Sequence, residues 1–151
     1  MRTRQTVAPQ RGARGFSLVE LLIVVGIIGI VAAIAIPNLI QGRQAACSAS
    51  AVSSLRLIHS SQASYRTTFG EYGVLADLGN RYFVNDYALR SGLKSSYLFE
   101  VTPDAAEPAV SYTASATPAD AAAWRHFFVD ASGVIRWKSG APAGAADLVV
   151  D

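Results

Sequence analysis

The chain has 151 residues, the length of about one domain. Hydrophobic residues make up 51% of it and charged residues only 16%, and the mean hydropathy is +0.28. This charge-poor composition excludes a disordered protein and a nucleic-acid-binding protein that works through its charge. The formal net charge of +2 is unevenly distributed, because four arginines and no acidic residue lie in residues 1–15. The remainder of the chain is therefore slightly acidic.

Cysteine and histidine are scarce. Cys47 is the only cysteine, which excludes an internal disulfide and a cysteine-based zinc site. His59 and His126 are the only histidines, too few for a multi-histidine metal site within one chain. The sequence therefore predicts no metal site and no cofactor.

One long apolar run dominates the N-terminal part. Residues 21–42 contain no charged residue, and residues 21–36 are almost entirely Leu, Ile, Val, Ala and Gly. With its flanks, the run covers residues 16–40 and reaches the roughly 20 residues that a helix needs to cross a bilayer. Four arginines precede the run and only Arg43 follows closely, so the positive-inside rule predicts a cytoplasmic N-terminus. The rest of the chain would then fold outside the cytoplasm.

Glu20 is the one charged residue inside this run. A carboxylate in hydrocarbon costs about 2.5–3.5 kcal/mol on insertion scales. No basic residue follows within two helical turns, and Arg14 lies six positions before it. Either Glu20 lies at the membrane interface without a role, or another molecule supplies its partner.

The segment 15–22, Gly-Phe-Ser-Leu-Val-Glu-Leu-Leu, resembles the prepilin signature shared by type IV pilins and the pseudopilins of type II secretion. In that family a prepilin peptidase cuts the basic leader after the glycine, and the new N-terminal residue is N-methylated. A glutamate at the fifth mature position docks the subunit into a growing filament. The resemblance, which covers about residues 11–69, thus implies cleavage between Gly15 and Phe16, N-methylation of Phe16 and a docking role for Glu20.

The chemistry of the segment agrees with these implied roles. Cleavage creates an α-amine on Phe16, and in a staggered stack of parallel helices that amine can reach the Glu20 carboxylate of a neighbour. Removing either partner should be severe, because the other charge is then buried alone. Pro37 also matches a proline common in the family. Since proline lacks an N–H and clashes with the preceding turn, we expect a kink in the helix there.

After the apolar run, residues 41–70 continue as an amphipathic helix. Apolar residues recur at spacings of three, four or seven and form one stripe. The stripe consists of Val52, Leu55, Ile58, Tyr65 and Phe69. Gly70 is a suitable end for this helix.

Residues 71–151 form the predicted head. Short helical turns are expected around residues 75–78 and 86–89, and strands at residues 96–101, 110–116, 126–129 and 134–138. Residues 130–133 form a typical hairpin turn, and the tail 139–151 is either loose or tucked under the head. The sheet face expected on the helix stripe carries Tyr97, Phe99, Val101, Tyr112, Phe127 or Phe128, Ile135 and Trp137.

The predicted fold is therefore α+β. A leader, residues 1–15, is followed by a transmembrane and filament-core helix, residues 16–40. An amphipathic half, residues 41–70, packs on a small antiparallel sheet head, residues 71–151, to give a pilin-like ladle.

The favoured function is a structural filament subunit and not an enzyme. It would be made as a precursor in the bacterial inner membrane and then assembled into a filament. The implied partners are copies of itself or related pilins, a prepilin peptidase and methyltransferase, an inner-membrane assembly platform and membrane lipid, with no nucleic acid.

A pseudopilin of a type II secretion system is the first alternative. Many major pilins close a C-terminal loop with a disulfide, which Cys47 alone cannot form. Major pseudopilins usually end in an acidic, glycine-rich calcium-binding segment, whereas here Asp130, Asp147 and Asp151 are dispersed. The missing calcium pattern favours a pilin or pilin-like subunit.

Two further alternatives remain open. A secreted soluble protein would use residues 21–36 as a signal peptide and be cut after Ala35, although Glu20 argues against this. A membrane-anchored enzyme would use Asp120, His126 and Asp130, but no nucleophile motif, phosphate-binding loop or metal spacing accompanies them.

Overall fold

The computed structural model describes residues 15–119 and 125–150. Most of the predicted leader, together with Asp120 and Asp151, lies outside these residues. The chain divides into an N-terminal unit, Met1–Ile40, and a C-terminal unit, Gln41–Asp151. The described residues form three helices: α1 (Leu18–Phe69), α2 (Leu75–Asn80) and α3 (Tyr87–Arg90). The strands are β1 (Leu93–Lys94), β2 (Tyr97–Pro103), β3 (Tyr112–Pro118), β4 (Arg125–Asp130), β5 (Arg136–Ser139) and β6 (Leu148–Val149).

The six strands form one antiparallel sheet in the order β1-β2-β3-β4-β5-β6. In β2 buried and exposed residues alternate, as expected when one face covers the core. Phe127 pairs with Ala116, which is fully buried, so the register directs Phe127 and not Phe128 into the core. The sequence pattern alone left these two phenylalanines undecided.

The core of the C-terminal unit lies between the sheet and the second half of α1. Four members of the predicted apolar stripe are buried: Val52, Leu55, Ile58 and Tyr65. Phe69, the last residue of α1, is instead 41% exposed. Its ring lies 4.6 Å from the Tyr65 ring and 4.2 Å from the guanidinium carbon of Arg81, so a stacked cation covers part of it.

Two turns position these elements. Gly70 ends α1 with φ +81°, and its N–H donates to the carbonyl of Arg66 at 2.8 Å. In the predicted hairpin turn, Gly133 has φ +75° and its N–H donates to the carbonyl of Asp130 at 3.0 Å. Both glycines occupy backbone conformations that other residues rarely adopt.

The structure extends the predicted sheet from four strands to six. The tail returns to the sheet as β6, which pairs with β5, and the N–H of Val150 donates to the carbonyl of Ile135 at 2.9 Å. Trp137, predicted to be buried, is half-buried. Pro37 lies inside α1 without ending it. The kink of the helix expected at Pro37 stays a prediction.

Candidate assembly site on the N-terminal helix

The segment 16–40 presents its apolar side chains on all sides. Its large hydrophobic residues are between 46% exposed, at Val24, and 80% exposed, at Leu18. An 18-residue window of α1 has a mean hydropathy of 2.9 and none of it is buried. By length and composition α1 is long and apolar enough to cross a membrane. Soluble monomers rarely expose a contiguous apolar surface of more than a few hundred Å², so this segment needs lipid or protein around it.

The predicted cleavage site precedes the helix. Gly15, Phe16 and Ser17 are not helical, and α1 begins at Leu18. The side chain of Phe16 is 72% exposed. The peptide bond between Gly15 and Phe16 is therefore not held in helical hydrogen bonding.

Glu20 lies in the first turn of α1 and is exposed. It forms no ion pair with any residue in the ranges 15–119 and 125–150. The helix N-terminus carries a partial positive charge, which favours a carboxylate there. A full cationic partner for this carboxylate would have to come from another molecule or from the α-amine that cleavage creates.

Gly26 and Gly29 lie farther along the same segment. A Cβ built at either position would meet no described atom within 4 Å, so packing within the chain does not require a glycine there. Small residues do let two helices approach closely in an apolar environment.

The residues of the enzyme alternative do not form a site in the described ranges. His126 is half-buried on β4, and burial lowers the pKa of its imidazole. Asp130 pairs with Arg136 at 3.8 Å and accepts a hydrogen bond from the N–H of Ser132 at 2.9 Å. The described residues contain no group of three or more His, Cys, Asp or Glu side chains that could hold a metal.

The structure also contains a groove that the sequence did not indicate. It has a volume of about 740 Å³ and lies within the C-terminal unit, between α1 and the strands β4 to β6. The groove is lined by Gln41, Gln44, Ala45, Ser48, Ala49, Val52, Arg56, Arg125, Phe127, Trp137, Val149 and Val150. No sequence signal could have located it, because its far wall depends on the pairing of β6 with β5.

Comparisons with known proteins support the resemblance found in the sequence. Residues 10–36 match the sequence profile of the prokaryotic N-terminal methylation motif. The type IV major pilin protein PilA of Myxococcus xanthus is 42% identical over 76 residues, which cover 46% of this chain and 34% of that protein. The type IV wide pilus major component PilA4 of Thermus thermophilus is 58% identical over 36 residues, which cover 24% of this chain and 28% of that protein. The chain therefore carries the N-terminal methylation motif and is similar to type IV pilins over part of its length.

The chain spans about a third of the length of the curated relatives that it matches. The methylation motif includes Gly15, Phe16 and Glu20 and ends just before Pro37. The names of both relatives describe pilus proteins, which agrees with the expectation of a structural subunit. The long N-terminal helix and the C-terminal antiparallel sheet likewise confirm the predicted α+β fold.

Proposed function

We propose that this protein is the structural subunit of a type IV pilus-like filament. It is made as a membrane-anchored precursor, cleaved after Gly15, N-methylated at Phe16 and polymerised through residues 16–40. The observation that carries the proposal is the exposed apolar surface of this segment, which coincides with the methylation motif. Both relatives are named as major components of type IV pili, which favours a pilus over a secretion pseudopilus.

Assembly moves the segment from lipid into a bundle of identical helices. Lipid tails are as apolar as leucine, so this transfer gains little from the hydrophobic effect. Close packing at Gly26 and Gly29 and a specific polar contact must supply the preference for the filament.

Glu20 supplies that polar contact. Its carboxylate pairs with the α-amine of Phe16 in a neighbouring copy, which satisfies two charges that neither lipid nor the apolar side chains can satisfy. Removing one partner of a buried ion pair costs about 3–5 kcal/mol, because the other charge is left uncompensated. The pair therefore sets the register in which a new subunit enters the filament.

The partners follow from this life cycle. A prepilin peptidase and methyltransferase acts on Gly15 and Phe16, and an inner-membrane assembly platform collects the mature subunits. The precursor lies in the inner membrane with its N-terminus in the cytoplasm and its C-terminal unit outside. Copies of the same chain or related pilins complete the filament.

The test combines Glu20→Gln with mass spectrometry of the N-terminus. The variant is expected to be inserted, cleaved and methylated at Phe16 like the wild type, while the yield of sheared filaments falls strongly. The matched control is Ser17→Ala, a substitution three positions away that, like Glu20→Gln, places an uncharged residue there. This control is expected to assemble normally. Abundant filaments from Glu20→Gln would contradict the docking role.

Cleavage is tested separately with Gly15→Leu. We expect a precursor that keeps its leader and migrates more slowly than the mature chain, because a bulky residue blocks the peptidase. A mature wild-type protein that begins at Ile36 instead of methylated Phe16 would show an ordinary signal peptide and overturn the proposal.

A further inference from the structure

The groove of the C-terminal unit carries two arginines that form no ion pair with a described residue. The side chains of Arg56 and Arg125 line it, and both residues are exposed. The guanidinium carbon of Arg125 lies 4.2 Å from the centroid of the Trp137 ring, so this cation is held in place over an aromatic face. Neither arginine forms an ion pair with any residue that the structure describes. The groove is therefore pre-arranged to receive carboxylates.

The shape of the groove suits a segment of polypeptide. Its helical wall runs from Gln41 to Arg56, which corresponds to about 22 Å at 1.5 Å per residue. Its floor combines apolar groups, among them Val52 and Phe127, with polar ones such as Ser48. A long, mixed surface of this kind matches an extended loop better than a compact small molecule.

An acidic loop of the same chain has the complementary character. Residues 104–111 connect β2 to β3, and Asp104, Glu107 and Val110 are exposed there. The Oδ1 atom of Asp104 accepts hydrogen bonds from the N–H groups of Ala106 at 2.8 Å and Glu107 at 3.2 Å. These bonds fix the loop, while the Glu107 carboxylate forms no ion pair within the described ranges.

The groove and the acidic loop lie at opposite ends of the sheet. Phe127 pairs with Ala116, so Arg125 lies toward the end where Tyr97 pairs with Pro118. The hydroxyl of Tyr97 donates to the Arg125 carbonyl at 2.9 Å. The acidic loop begins at the other end, beyond the pair formed by Pro103 and Tyr112. About 20 Å of strand separates the two ends, at 3.3 Å per residue.

We infer that the groove of one copy binds the acidic loop of a second copy. The inference rests on the proposed function and names the contact between C-terminal units. A surface that binds a different surface of an identical chain is a heterologous interface, which propagates as an open filament instead of closing into a dimer. Glu107 pairs with Arg56 and Arg125, and these charges fix the register between successive units.

Disulfide trapping in assembled filaments tests the contact. Ala45 and Ala106 are exposed residues of the groove and the loop, and Cys47→Ala first removes the native thiol. A chain with Ala45→Cys and Ala106→Cys is expected to form a ladder of covalent oligomers on mild oxidation. The matched control carries Ala46→Cys with Ala106→Cys, because Ala46 is also exposed but does not line the groove. Its oligomer yield is expected to be about tenfold lower, since a disulfide requires Cα atoms within about 7 Å.

Charge reversal provides the second measurement. Arg56→Glu and Glu107→Arg are each expected to lower the filament yield about tenfold, because each places like charges together. The chain that carries both changes is expected to recover most of the wild-type yield. Glu100→Arg, the same change on an exposed position of β2, is the control and leaves the yield unchanged. Failure of the double change to recover would contradict the pairing of this loop with this groove.

The outcomes separate the inference from the proposed function. Equal cross-linking by the Ala45→Cys and Ala46→Cys chains, in filaments of normal yield, overturns the inference and leaves the proposed function intact. A mature wild-type chain that never forms filaments overturns both.

Discussion

The Nδ1 atom of His59 lies 2.7 Å from the hydroxyl oxygen of Tyr112, and this hydrogen bond joins α1 to strand β3. The two rings are stacked with their centroids 6.3 Å apart. Tyr72 belongs to the segment that follows α1, and its ring lies 4.7 Å from that of Tyr112. One tyrosine thus connects the helix, the sheet and the first loop of the C-terminal unit.

Replacing Tyr112 with Phe is expected to lower the free energy of unfolding by about 1 kcal/mol, because the hydrogen bond to His59 is lost while the ring remains. Urea unfolding of the detergent-solubilised chain, followed by tryptophan fluorescence, measures the change. Tyr87→Phe is the matched control, since Tyr87 is 84% exposed and should leave stability unchanged. Equal stability of the two variants would show that the Tyr112 hydroxyl contributes nothing.

Stability is expected to fall in alkaline solution. Burial raises the pKa of the Tyr112 phenol and that of the Tyr97 phenol, so the folded state favours their neutral forms. The stabilising contribution is fully present below the unfolded-state pKa of about 10 and is lost as the pH rises above it. Urea unfolding at pH 9, 10 and 11 should show this decline, and Tyr112→Phe should make it shallower. Identical pH dependence in both proteins would contradict the assignment to Tyr112.

The hairpin turn at Gly133 should not tolerate a side chain. A Cβ built there would lie 2.7 Å from the Nε2 atom of His59, and the residue has φ +75°. Gly133→Ala is expected to destabilise the protein by at least about 1–2 kcal/mol, the cost of the left-handed conformation alone. Gly144→Ala is the control, because its nearest described neighbour outside the adjoining residues would be 3.9 Å away. Thermal unfolding of the two variants provides the comparison.

The buried side chain of Gln62 is expected to be as sensitive to substitution as Gly133. Gln62 is fully buried, its Nε2 donates to the Gly73 carbonyl at 2.5 Å, and its Oε1 accepts from the Gly73 N–H at 3.0 Å. Gln62→Leu leaves both backbone groups without these partners, at about 1–3 kcal/mol each. Gln44→Leu, at a half-buried position of the same helix, should unfold at nearly the wild-type urea concentration. A wild-type urea midpoint for Gln62→Leu would contradict this account.

The C-terminal unit, Gln41–Asp151, should fold without the apolar segment. Every buried hydrophobic residue in the part of the chain that the structure describes lies in it, from Ala51 to Ile135. Expressed alone, it is expected to be monomeric, with the circular dichroism of a mixed helix and sheet and a cooperative thermal transition. A fragment that aggregates or melts without cooperativity would show that residues 16–40 are part of its folding unit.

Periodicity predicted the helical part of the fold well. The apolar run and the stripe from Val52 to Tyr65 extend over many turns, so many positions together support the prediction of a helix. Gln62 was not predicted to be buried, because its burial depends on hydrogen bonds to Gly73, eleven residues away along the chain. Ser54 was missed for the same reason, since small polar residues carry little hydrophobic signal although this one is buried.

The sheet was predicted less completely. Strands β1 and β6 have two residues each, too few to show an alternating pattern. Their existence depends on β2 and β5 as partners, which is information that a local segment does not contain. The groove shares this dependence, because Val149 and Val150 reach it only after β6 has paired. The residues proposed for cleavage and docking, by contrast, lie in a short linear motif, so the sequence alone suggests them.

The order of the strands has a consequence for export. Each strand pairs with the one that precedes it in the chain, from β1 to β6. In the membrane topology that we propose, the residues that follow α1 emerge before the tail, so the sheet can extend one strand at a time, with no strand waiting for a remote partner. Such sequential pairing would keep unpaired strand edges short-lived during folding.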